Sequence, residues 1–229
     1  MSLLLAQKID LTIPGQPPIQ ILHDLDLELH AGESLAVIGC SGAGKSTLLQ
    51  ILGLLQKPTA GRILHAGEEI PWHQAPLWRN RHIGFVFQGC HLLESMTPLE
   101  NVLMPASIAR EATGRGTPIR QRACDLLESM ELGSRISSPC RVLSGGEKQR
   151  VAIARALIME PLLILADEPS GNLDPRTGRV IQDLLLQQVS PTRALLVVTH
   201  DHHLANRCTR TLQLADGHLA STEPPSRVR

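Results

Sequence analysis

Tyrosine is absent from this chain of 229 residues, and the only other aromatic positions are Trp72, Trp78, Phe85 and Phe87. Neither sign of charge dominates: 22 Lys and Arg stand against 22 Asp and Glu. A balanced chain exerts no long-range pull on nucleic acid or on an anionic membrane, so nucleic acid is not expected as a partner. Cysteines are few and show no C-x-x-C pair. Cys40, Cys90, Cys124, Cys140 and Cys208 are odd in number, which points to reduced thiols in a cytosolic setting. No apolar run approaches the roughly 18 residues that a membrane-spanning helix needs. The start, Met1 to Ala6, offers no basic leader. Internal repeats and low-complexity segments are also missing. The length still suffices for one domain with a full core and a subdomain.

What is present is organised around Gly39-Cys40-Ser41-Gly42-Ala43-Gly44-Lys45-Ser46, of the form G-x-x-x-x-G-K-S. An apolar run, Leu35 to Ile38, leads in, and a helix-like run from Thr47 to Leu55 leads out. Strand, glycine loop and helix are the context in which this spacing cradles phosphate. The glycines let backbone N–H groups turn toward phosphate oxygens, and the helix start adds its positive end. Lys45 supplies a charge for the β- and γ-phosphates, and the Ser46 hydroxyl can ligate Mg²⁺.

Around this loop the chain alternates in character. Residues 3–38 read as strands, with Leu25, Leu27 and Leu29 alternating against Asp26, Glu28 and His30. Pro14 to Pro18 forms a loop, Pro58 to Gly61 a turn, and Gly67 marks a hairpin in which Trp72 and Trp78 are expected to pack. Ile83 to Phe87 is a short strand ending at Gln88. Residues 89–150 read mostly as helix. Thr97-Pro98-Leu99-Glu100 combines a capping box with proline at the first helical position. Thr117-Pro118 opens another helix, with Arg110, Arg115, Arg120 and Arg122 as a solvated face around the linker between them. From Val151 the α/β pattern returns. Leu162 to Ala166 and Leu195 to Val198 are apolar enough to be parallel strands covered on both sides. Pro175 to Val189 reads as a helix after Asp174. Thr211 to Leu219 closes the fold as a hairpin through Asp216-Gly217, and a polar tail follows from Ser221.

Two further stretches carry chemistry. Asp167 and Glu168 end a buried strand. Paired with a phosphate loop, Asp167 can hold Mg²⁺ and Glu168 can polarise a water for in-line attack. Ser144 and Glu147 form a capping box that opens a helix through Arg155 to about Met159. Gly145 and Gly146 in its first turn cost about 1 kcal/mol each against alanine, which suggests bare N–H groups kept for an anion. His200-Asp201-His202-His203 reads as a capped short helix with His202 and His203 exposed, since adjacent histidines do not share a helix face.

Together these motifs resemble those of the ATP-binding cassette (ABC) ATPases, over nearly the whole chain and in that family's order. Residues 39–46 are similar to Walker A, 162–168 to Walker B and Leu143 to Gln149 to the signature motif. Gln88 resembles the Q-loop glutamine, Ser170 to Asp174 the D-loop and His200 the switch histidine. The resemblance implies a single α/β cassette over 1–229. Its RecA-like core and antiparallel β portion would come from 1–88 and 151–220, its helical subdomain from 89–150 and a tail from 221–229. It implies ATP as substrate, held by residues 39–46, Thr47, Ser144, Gly145, Gly146 and Asp174. Mg²⁺ would rest on Ser46, Gln88 and Asp167, with Glu168, His200 and Gln88 as catalytic residues. It also implies a head-to-tail homodimer with ATP at the interface, and separate integral membrane subunits. The chain would then be peripheral on the cytoplasmic face of the inner or plasma membrane. Gly84 to Gln88, Leu99 to Val102 and Ala166 to Asp174 resemble the branch serving lipoprotein release and macrolide export. Cell-division ATPases that regulate without transporting are the alternative. Thr12, Ile13 and Pro14 fall where the family usually places an adenine-stacking aromatic, so base selection is expected to be weak.

Overall fold

The computed structural model describes residues 2–221. In chain order the elements are β1 (Ser2–Ile13), β2 (Ile19–His30), β3 (Ser34–Ile38), α1 (Lys45–Leu52), β4 (Ala60–His65), β5 (Glu68–Glu69), α2 (Ala75–His82) and β6 (Ile83–Phe87). They continue with α3 (Pro98–Ile108), α4 (Pro118–Ser129), α5 (Gly145–Leu157), β7 (Leu163–Asp167), α6 (Pro175–Leu186), β8 (Ala194–Thr199), α7 (His202–Ala205), β9 (Arg210–Ala215) and β10 (His218–Ser221). The described residues divide into two compact units, one of residues 2–75 with 188–221, the other of residues 76–187.

The first unit holds an antiparallel sheet in the order β2-β1-β4-β5. Alternation in β2 buries Leu25, Leu27 and Leu29 and leaves Asp26, Glu28 and His30 exposed, as the period of two requires. Each fully buried leucine contributes about 1.5–3 kcal/mol over its exposed state. The β4–β5 turn places Ala66 at φ 51° and Gly67 at φ 86°, the hairpin conformation that glycine favours. A second set of strands runs in the order β10-β9-β3-β8. Both β8 and β9 lie parallel to β3. Every residue of β8 is buried, which explains its continuous apolar run. Asp216 and Gly217, at φ 48° and 77°, make the β9–β10 hairpin turn. Ser221 ends β10, so the polar tail from 222 onward lies outside the described residues.

The second unit pairs β6 in parallel with β7, packs α5 against β6, and sets α3, α4 and α6 against α5. The capping box at α3 is complete: the Thr97 side chain accepts from Glu100 N–H while Glu100 reaches back to Thr97 N–H. Among the described residues no helix is long and apolar enough to cross a membrane.

Several sequence expectations need correction here. Trp78 sits on α2, a helix that the sequence reading missed, and its ring lies 4.6 Å from that of His82. Only Ala75 of α2 is buried, so the segment carries no apolar stripe to reveal it. Arg122 is anchored rather than solvated, pairing with Glu160 at 2.7 Å and donating to the Leu157 carbonyl. α6 stops at Leu186 rather than Val189, α5 stops at Leu157, and β7 begins one residue late, at Leu163.

Candidate functional site

In the first unit, residues 39–44 leave the C-terminal end of β3, flanked by its parallel neighbours. Gly44 takes φ 94° at the N-cap of α1, a left-handed position suited to glycine. No side chain caps this helix and no acid stands in its first turn, the setting in which a helix start takes an anion. Lys45 is 9% exposed. Its ammonium donates to the Gly39 and Cys40 carbonyls at 2.8 and 3.0 Å, which holds the charge over the loop. Of its three N–H donors, one remains for a phosphate oxygen. A Cβ at Gly39 would overlap the Leu214 carbonyl oxygen, so β9 presses directly against the loop. Cys40, Ser41, Gly42 and Ser46 are exposed, while Ala43 and Thr47 are half-buried. Beside the loop lies a cavity of about 630 Å³, lined in part by Ile19, Gln20 and Ile21. Ile13, 43% exposed, pairs with Ile19 across β1 and β2. His200 follows the last residue of β8 and is exposed.

In the second unit, Phe87 and Asp167 are register partners at the ends of β6 and β7. Gln88 and Glu168 therefore leave neighbouring strands at the same level. Glu168 takes φ 42°, a left-handed conformation that costs a side-chain-bearing residue about 1–3 kcal/mol. Its carbonyl accepts from Gly171 N–H at 3.0 Å, which turns the chain back. Gln88 Nε2 then donates to Asn172 Oδ1 at 2.9 Å. Gln88, Asp167, Glu168 and the 170–174 segment are thus gathered at one strand end. Asp174 caps α6, accepting from Arg176 and Thr177 N–H, each at 3.1 Å. The side-chain and backbone bonds from Thr177 hold its carboxyl below the usual range.

The start of α5 is built as its sequence suggested. Ser144 Oγ accepts from Glu147 N–H at 3.3 Å, and Glu147 Oε2 accepts both Ser144 N–H and the Ser144 hydroxyl at 2.8 Å. Gly146 has a packing reason that the sequence could not show: a Cβ there would overlap Thr177 of α6. Gly145 and Ser144 are exposed. The Ser144 backbone N–H holds the Glu147 carboxyl below its ordinary value of 4.5, with Arg135 assisting at 3.3 Å. A depressed folded-state pKa contributes stability that is complete above the unfolded value and is lost as pH falls through the folded one. The thermal-stability advantage of the native chain over Glu147→Gln should therefore be full at neutral pH and shrink as pH falls below about 4.5. Paired melts across that range check it, and an advantage that grew with acid would contradict the assignment.

Comparison with known proteins agrees with this geometry. The ABC transporter family model matches residues 22–171. The lipoprotein-releasing system ATP-binding protein LolD of Pseudomonas fluorescens is 49% identical over 214 residues, covering 90% of this chain and 92% of its own length. The LolD protein of Protochlamydia amoebophila is 46% identical over 202 residues, covering 88% and 89%. An ATP-binding cassette solved as a dimer in a post-hydrolysis state, bound to ADP and Pi, matches with a TM-score of 0.85 at 34% identity. That alignment covers 96% of this chain and 99% of the cassette. A phosphate loop, strand-end acids and a capped glycine helix are the parts of an ATP-hydrolysing cassette, and the chain belongs to the ABC transporter family.

Proposed function

We propose that this chain is the ATP-hydrolysing subunit of a lipoprotein-releasing system, acting through separate integral membrane subunits from the cytoplasmic face of the membrane. The observation that supports this reading best is the 46% and 49% identity, over 88% and 90% of the chain, to proteins of that system. Two copies would pair head to tail, with ATP held by residues 39–47 of one and by Ser144, Gly145 and Gly146 of the other. Residues 89–150 would act as the helical subdomain of the cassette. Ser46, Gln88 and Asp167 fit Mg²⁺ because all three offer hard oxygen donors. With Gln88 Nε2 committed to Asn172, the amide oxygen is the atom left for a cation. Bound Mg²⁺ would neutralise charge on the β- and γ-phosphates. Lys45 orients the same phosphates, Glu168 holds and deprotonates the attacking water, and His200 steadies the γ-phosphate. Asp174, by capping α6, fixes the segment after Glu168.

The exposed Leu93 and Met96 follow Gln88 and offer a membrane subunit an apolar foothold. Purification from gently solubilised membranes should retain an integral membrane partner, and Leu93→Asp should release it while nucleotide binding persists. Recovery of the chain free of membrane protein under those conditions would contradict the proposal.

A further inference from the structure

The loop after Gln88 is held by side chains to which no step of the reaction has been given. Cys90 and His91 are consecutive non-glycine residues in the left-handed region, at φ 57° and 47°. Such residues persist only where their surroundings over-determine them. Here the surroundings come from α5. The Arg155 guanidinium donates through Nη1 to the His91 carbonyl and through Nη2 to the Cys90 carbonyl, both at 2.6 Å. Gln149, only 2% exposed, donates from Nε2 to the Phe87 carbonyl at 3.2 Å. Its Oε1 accepts the Cys90 thiol at 2.7 Å. Lys148 reaches Glu94 at 2.7 Å further along the same loop. Carbonyls on both sides of Gln88 are therefore fixed by the helix that begins at Ser144.

We infer that Arg155 and Gln149 are positioning residues for Gln88. They set the backbone of residues 87–91, so that the Gln88 amide and the Ser144–Gly146 helix start move as one piece. The inference rests on the proposed role of Gln88 at the metal. Arginine suits the task because its planar fork spans two successive carbonyls, whereas an ammonium is a point donor. A piece that carries both Gln88 and the glycine helix start would sense the cation on one nucleotide and the phosphates of the other together.

A double-mutant cycle tests this on the full chain with its membrane partner, reading kcat and KM for ATP separately. Arg155→Lys should lower kcat about tenfold and change KM by less than about twofold. Gln88→Ala should also lower kcat, and the double variant should be no slower than Gln88→Ala alone, because Arg155 acts through Gln88. Multiplying losses in the double variant, or wild-type kcat in Arg155→Lys, would overturn the inference. Wild-type turnover by Gln88→Ala would instead overturn the reading of Gln88 itself, and the inference with it. Should Arg155→Lys fail to fold, Gln149→Met runs the same cycle through the other arm of the clamp, with the same expected pattern.

Discussion

Glu168→Gln should cut ATP turnover by about 10²–10⁴-fold, the usual contribution of a positioned general base. The substitution keeps the shape of the side chain and removes its basicity. It also leaves the left-handed backbone at residue 168 and the bond from Gly171 in place. Binding should therefore survive while chemistry stops. ATP would then accumulate between two chains and hold them together by mass action, stabilising the dimer by about 2.7 kcal/mol at a hundredfold excess over Kd. Light scattering should show a dimer that forms with ATP and persists for the length of the experiment. The native chain should show one that decays as ATP is consumed. A Glu168→Gln protein that hydrolyses ATP at the native rate would remove Glu168 from the chemistry.

Gly39→Ala should be the most damaging small substitution in the phosphate loop. Its Cβ would overlap the Leu214 carbonyl oxygen, a backbone atom that cannot swing aside. Either β9 or the loop must shift, and overpacking of that kind costs about 1–3 kcal/mol. For a chain of this length each kcal/mol lowers Tm by about 2–4 °C. The shift would also drag the two carbonyls that hold the Lys45 ammonium, so ATP affinity should fall at least about tenfold. Gly42→Ala is the internal control. Nothing lies within 4 Å of a Cβ there, and only the left-handed φ of 81° penalises a side chain. That penalty is about 1–2 kcal/mol with the loop left in place, so binding should be nearly kept. Equal losses of ATP affinity in the two variants would mean that β9 does not brace the loop.

The contrast between those two glycines shows how much the sequence could reveal. G-x-x-x-x-G-K-S declares a phosphate loop because its chemistry is local: strand, bare N–H groups, one lysine. The capping boxes at Thr97 and Ser144 were legible for the same reason, since each closes within four residues. The alternation of β2 and the unbroken apolar run of β8 likewise announced their burial. What stayed hidden depends on partners distant in the chain. The need for glycine at residue 146 comes from Thr177, and that at residue 39 from Leu214. The Arg155 and Gln149 bonds to the loop after Gln88 join residues about 60 positions apart. α2 escaped notice because it buries a single residue and so carries no periodic pattern. The left-handed turn at Glu168 has no residue signature, since glutamate is no more suited to it than most side chains.

The proposed function is that ATP hydrolysis at this site drives a lipid-anchored protein out of a membrane through separate membrane subunits. It is tested most directly by measuring lipoprotein release from proteoliposomes that contain the chain, its membrane partner and a lipoprotein substrate. Release should require hydrolysable ATP with Mg²⁺, follow ATP consumption, and stop when Glu168→Gln replaces the native chain. Release at the same rate without ATP, or sustained ATP consumption with no lipoprotein leaving the membrane, would contradict the account.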